Sequence, residues 1–204
     1  MQNRTELIWE ALAPFVEERG LNDITQTLGC FDSHAENLLK DLKAALLSCN
    51  EQAASWRRKG EKGETAFIAL SFLDTSILTG SYDLRIDFYD DNFLGDIAES
   101  CAYFPYVHLI PFYHESTEAI CAMAVKRFIR LMDYERDAIA WKYKTEVLYK
   151  MVMTTCSLCL LHPEMAGFWP SLAVSENCVF TFGRLLDNQQ LYLKMPRQKE
   201  VHVQ

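Results

Sequence analysis

Nowhere in this chain do about 18 apolar residues follow one another, so no segment reads as a membrane-crossing helix. The first residues, MQNRTELIWEALAPF, mix acidic with apolar side chains and lack the apolar core of a secretion signal. Positive charge is scarce: 20 Lys and Arg stand against 28 Asp and Glu, a formal net charge of −8. Such a chain repels nucleic acid and anionic membranes unless charge is locally segregated, and its basic segments, WRRKG and KMPRQK, are short. The cysteines form no compact framework: there are 7, an odd number, at positions 30, 49, 101, 121, 156, 159 and 178. These absences point to a soluble cytoplasmic protein with reduced thiols. No repeat, low-complexity segment, catalytic signature or cofactor fingerprint stands out, so the cofactor is left unknown.

What is present is apolar bulk. Half of the 204 residues are hydrophobic and 12% are aromatic, ample for a buried core. Helical spacing appears over residues 5–19 (Leu7, Ile8, Ala11, Leu12, Phe15), with Pro14 as a kink or break and Gly20 as the stop. A short helix, NDITQTLG, follows. A long one then starts at Ser33, which with Glu36 forms a capping box, and carries Leu39, Leu42, Leu46, Cys49, Ala53 and Trp56 to a stop at Gly60. Further helices are predicted from Ser116 to about Leu131 and from about Tyr134 to Leu161, with a break near Met132 and Asp133.

The stretch SFLDTSILTGSYDLRIDFYDD, residues 71–91, predicts a hairpin about a type II′ turn at Gly80-Ser81. That register sets Ile77 opposite Leu84 and Thr75 opposite Ile86 on an apolar face. The other face pairs Asp74 with Asp87, Ser76 with Arg85 and Leu78 with Asp83. Like charges directly opposite are unfavourable, and Arg85, diagonal to Asp74, relieves them. The ordinary reading is a solvated face; the sharper one is a site for a cation or basic partner built from Asp74, Asp83, Arg85 and Asp87. A second hairpin is predicted in VFTFGRLLDNQQLYLK.

Four short patterns bear on chemistry. LNDITQTLGCFDSHAENLL resembles the helix-turn-helix pattern of bacterial regulators, with Gly29 in the turn. The resemblance implies DNA reading by the second helix, yet that helix offers Asp32, Glu36 and Asp41 against Lys40, the wrong charge for the task. HESTE, from His114 to Glu118, places two metal ligands one turn apart but departs from the H-E-x-x-H zinc-protease pattern at its last position. Ser116 as a helix cap is the simpler account. Cys156-Ser-Leu-Cys159, with His162 beyond, has the C-x-x-C form, but it falls near the end of a predicted helix, where the dipole does not activate a thiol. Buried apolar cysteines explain it better, and zinc would need Cys178 or another distant ligand. The aromatic run with Tyr103, Phe104, Tyr106, His108, Phe112 and Tyr113 has the composition of a ligand pocket, and also of a core-facing loop.

The expected architecture is α+β: a helix-rich single domain with a small antiparallel sheet built from the two hairpins. Residues 1–60 form a helical part, 61–195 an α+β part with two hairpins and two long helices, and 196–204 a flexible tail. The expected function is a non-enzymatic module that binds a small ligand or a protein partner, with a homodimer as one option and with neither nucleic acid nor membrane as its target. Candidate ligand contacts are Asp74, Asp83, Arg85, Asp87, Tyr106, His108 and Tyr113; candidate metal ligands are His114 and Glu118. The competing readings are a transcriptional regulator using residues 21–42 and a metal-dependent enzyme using the hairpin aspartates.

Overall fold

The computed structural model describes residues 3–105, 113–185, 187 and 189–195; the expected tail at 196–204 lies outside them. The first element, α1 (Arg4–Lys59), is one helix of 56 residues with Pro14 inside it. The expected stop at Gly20 and start at Ser33 are both absent. Ile8, Leu12, Val16, Gly20, Asp23, Thr27, Phe31, Leu38, Leu42, Cys49 and Ala53 are all buried and follow one another at helical spacing. Because glycine, aspartate and threonine occupy the middle of that stripe, hydrophobicity alone loses its trace. Gly20 marks close packing, since a Cβ there would lie 3.2 Å from Val147 Cγ2. Ser33 does not cap; its Oγ donates back to the Cys30 carbonyl at 2.7 Å. Residues 21–42 therefore contain no turn, and the helix-turn-helix reading is overturned.

The chain forms two compact units, each made of two segments: Met1–His34 with Val107–Cys156, and Ala35–Tyr106 with Ser157–Gln204. The first unit is helical. Beside the first part of α1 it contains α3 (Tyr113–Arg127) and most of α4 (Asp133–Leu161). Its core is drawn from Ile8, Leu12, Val16, Ile120, Ala124, Ile139, Val147 and Met151. A buried carboxylate links the three helices: Asp23 accepts from Ser116 Oγ at 2.7 Å and from Tyr143 OH at 2.8 Å. Burial, reinforced by the Asp23 hydrogen bond and charge, pushes the Tyr143 phenol well above its ordinary range.

The second unit holds the sheet: β1 (Thr65–Phe72), β2 (Asp83–Tyr89), β3 (Cys101–Pro105), β4 (Val174–Arg184) and β5 (Gln189–Lys194). The order is β3-β2-β1-β4-β5, with β1 and β4 parallel and every other pair antiparallel. The fold is thus α+β, but the sheet is larger than expected and mixed. Its central parallel pair joins residues about a hundred positions apart, a contact that no local pattern announces. The β4–β5 pair is the second expected hairpin.

The first expected hairpin is corrected. Between β1 and β2 stands a short helix, α2 (Asp74–Thr79), ended by Gly80 at φ 72°, ψ 17°. That is the left-handed helical cap, not a type II′ turn. The register moves accordingly: Ser71 faces Arg85, Ala69 faces Asp87 and Phe67 faces Tyr89. Ile68, Leu70, Phe72, Leu84, Ile86, Phe88, Phe104, Phe180 and Phe182 form the buried apolar face. The second part of α1 docks at β2 and β3: Cys49 Sγ donates to the Ile86 carbonyl at 3.4 Å, and the Gln52 side chain bonds both the N–H and the carbonyl of Cys101.

Candidate functional site

The most distinctive surface lies where α3 turns into α4. Five residues connect the two helices, which makes them an αα-hairpin. The connection is tied down from several sides. Arg130 takes the left-handed φ of 57° that bends the chain back. Glu135, buried, accepts the Met132 backbone N–H at 2.9 Å, the reach-back half of a capping box. Arg4 Nη1 meets both Glu135 oxygens at 3.0 Å, and Arg4 Nη2 reaches the carbonyls of Ile129 and Arg130 at 3.3 and 3.4 Å. Arg127 donates to the Ala11 carbonyl, in the turn before Pro14.

On this held turn and in the helix ends that flank it, apolar side chains are exposed. Val125 is 57% exposed, Ile129 88%, Met132 53% and Tyr134 67%. A groove of about 540 Å³ continues from them along α3 and α4, lined by Thr117, Glu118, Cys121, Ala122, Val125, Lys126, Arg136, Asp137 and Ala140. Cys121 Sγ approaches the Arg136 carbonyl at 3.9 Å, so the two helices are close at the floor. Burial raises the Cys121 thiol above its usual range, which makes it a poor nucleophile. On the rim, Arg136 lies near Asp133 and Asp137, at 3.7 and 3.9 Å. Among the described residues Glu118 and Lys126 make no ion pair.

The residues singled out from sequence are dispersed. Arg85 and Asp87 are together, but not as an open acidic face. Arg85 Nε bonds both Asp87 oxygens at 2.9 and 3.0 Å, Nη2 bonds Oδ1 at 2.7 Å, and Nη2 also meets Glu99 Oε1 at 2.6 Å. Asp87 is buried, and burial raises its carboxyl against the downward pull of Arg85. Asp83 is on the same face of β2, two residues before Arg85 and four before Asp87, at the strand's first position. Asp74 is elsewhere, at the start of α2, with Arg184 Nη1 3.8 Å away. The convergence of Asp74, Asp83 and Asp87 is therefore withdrawn: α2 shifts the register by an odd number of residues and takes Asp74 off β1 altogether. His114 and Glu118 are exposed on α3, one turn apart, and among the described residues no three His, Cys, Asp or Glu side chains gather at a metal position. Tyr106 and His108 lie outside the described residues; Tyr113 opens α3. Cys156 and Cys159 are buried on α4, and burial pushes the Cys159 thiol up to about 12.

Sequence reasoning missed the Arg4–Glu135 clamp and the exposed set Val125, Ile129, Met132 and Tyr134. The break at Met132–Asp133 was its only visible sign, because period-based reading assigns apolar residues to the core. Comparisons with known protein families, with curated proteins and with solved structures find no match for this chain.

Proposed function

We propose that this chain is a non-enzymatic binding module that docks a protein partner on the α3–α4 turn. The observation that supports it is the exposure of Ile129 and Met132 on a turn held by Arg4 and Glu135, with Val125 at the end of α3 and Tyr134 at the start of α4 exposed on either side of it. Apolar side chains scattered singly are ordinary on a surface; a group of four beside a groove is the arrangement of an interaction site. Tyrosine and methionine are enriched at such surfaces. Restraining the turn before binding lowers the ordering cost of association. A protein partner is favoured over a small ligand because the polar groups of the Arg85 cluster spend their hydrogen bonds on one another. All seven cysteines are free, which supports the reducing cytoplasm as the place of action.

The test is crosslinking in the native host with wild type and with Ile129→Glu/Tyr134→Ala. The variant is expected to keep its circular dichroism and melting temperature and to lose its crosslinked partners. An unchanged set of partners at unchanged yield refutes the reading.

A further inference from the structure

The groove beside the turn carries a charge pattern that names its occupant. Glu118 stands toward one end of α3's groove face and Lys126 toward the other, both exposed, with Cys121, Ala122 and Val125 between them. Eight residues separate the two charges, about 12 Å along the helix. Among the described residues neither has an ion-pair partner. Ala122 lies midway between the two charges, four residues from each, so about that point the stripe is antisymmetric in charge. A two-fold axis through that point lays α3 antiparallel on the α3 of a second copy. Glu118 of each copy then falls beside Lys126 of the other, so one surface satisfies itself twice. This self-complementarity is what an isologous interface requires. The small side chains at the centre, Ala122 with Ala140 of α4, permit close helix approach, about 8–10 Å between axes.

We propose that the α3–α4 groove face is a homodimer interface, covered by α3 of a second copy laid antiparallel against α3 of the first. The proposal rests on reading the α3–α4 face as a partner surface and assigns its groove, as distinct from the turn at Ile129 and Tyr134, to a second copy of this chain. Val125 would be covered in the dimer, while Ile129 and Tyr134, beyond the Lys126 end, flank the contact. A basic or acidic partner of a single sign is disfavoured, because it would satisfy one end of the stripe and be repelled at the other.

The experiment is charge reversal and its compensation, read by sedimentation velocity across protein concentrations. Wild type is expected to dimerise. Glu118→Lys and Lys126→Glu, made singly, each place like charges together twice across the axis and should raise the dimer dissociation constant about tenfold. The double variant exchanges the two ends and should restore the wild-type constant. Cys121→Ser/Ala122→Cys, with its one remaining groove thiol near the axis, should give a disulfide-linked dimer on mild oxidation where Cys121→Ser does not. A monomer at all concentrations, a dimer indifferent to the single reversals, or a double variant as weak as the singles overturns the proposal. These outcomes leave the partner-surface reading to its own test, since the Ile129→Glu/Tyr134→Ala crosslinking result does not depend on self-association.

Discussion

Removing Arg85 provides the sharpest test of how the second unit is built. Asp87 lies with its side chain 3% exposed and Arg85 with 19%, joined by three N–H···O contacts of 2.7–3.0 Å. Burial, with a smaller push from Glu99, raises the carboxyl above its ordinary 3.8, and Arg85 is the main group holding it down, with Lys62 adding a lesser pull. Arg85→Met leaves the aspartate buried without its cation, a change that costs about 3–5 kcal/mol when one partner of a buried pair is lost. The sign of the pH dependence follows. A carboxyl whose folded value is raised contributes stability that is present below its unfolded value and lost as pH rises through the folded value. Arg85→Met raises the folded value further, so the gap to wild type should be widest at neutral pH and should close as pH falls toward about 4. Asp87→Asn, which removes the burdened charge, should change stability by no more than about 1 kcal/mol. Arg85→Met/Asp87→Asn should recover most of what Arg85→Met loses. Urea denaturation at about pH 5 and pH 7.5 measures all four proteins. A loss below about 1 kcal/mol at neutral pH, or an equal loss at both values, refutes the reasoning.

Three further outcomes are expected. Gly80→Val, at φ 72°, should lose about 1–2 kcal/mol while Gly80→Asn stays near wild type, read by chemical denaturation; equal behaviour of the two removes the left-handed cap as the reason for glycine. Arg4→Met should cost about 2–3 kcal/mol, because Glu135 keeps the Met132 N–H but loses its cation, and should speed hydrogen exchange in residues 128–132; unchanged exchange there argues against the clamp. Cys159 and Cys178, with thiols pushed up to about 12, should resist alkylation near pH 8 until the protein unfolds; rapid labelling of the native chain at those positions contradicts their burial.

The α+β class, the break before α4, the β4–β5 hairpin and the lack of any helix long and apolar enough to cross a membrane among the described residues follow from composition, period and turn residues, which act over short distances along the chain. Other features depend on partners far away in sequence. Asp23 and Thr27 hold buried positions in α1, Asp23 because Ser116 and Tyr143 receive it; no window around residue 23 contains them. The central β1–β4 pair is non-local for the same reason. Gly80 illustrates the limit most directly: its sequence context permits either a hairpin turn or a helix cap. The difference lies in ψ, settled by Ile77 and Tyr82 being buried and by Ser76 Oγ donating to the Asp83 carbonyl. That choice shifts the register, and with it every aspartate in the expected site. The outward turn at Ile129 and Tyr134 is likewise a tertiary result, because hydrophobicity specifies what a side chain prefers, whereas the Arg4–Glu135 contact across 131 residues decides where it points.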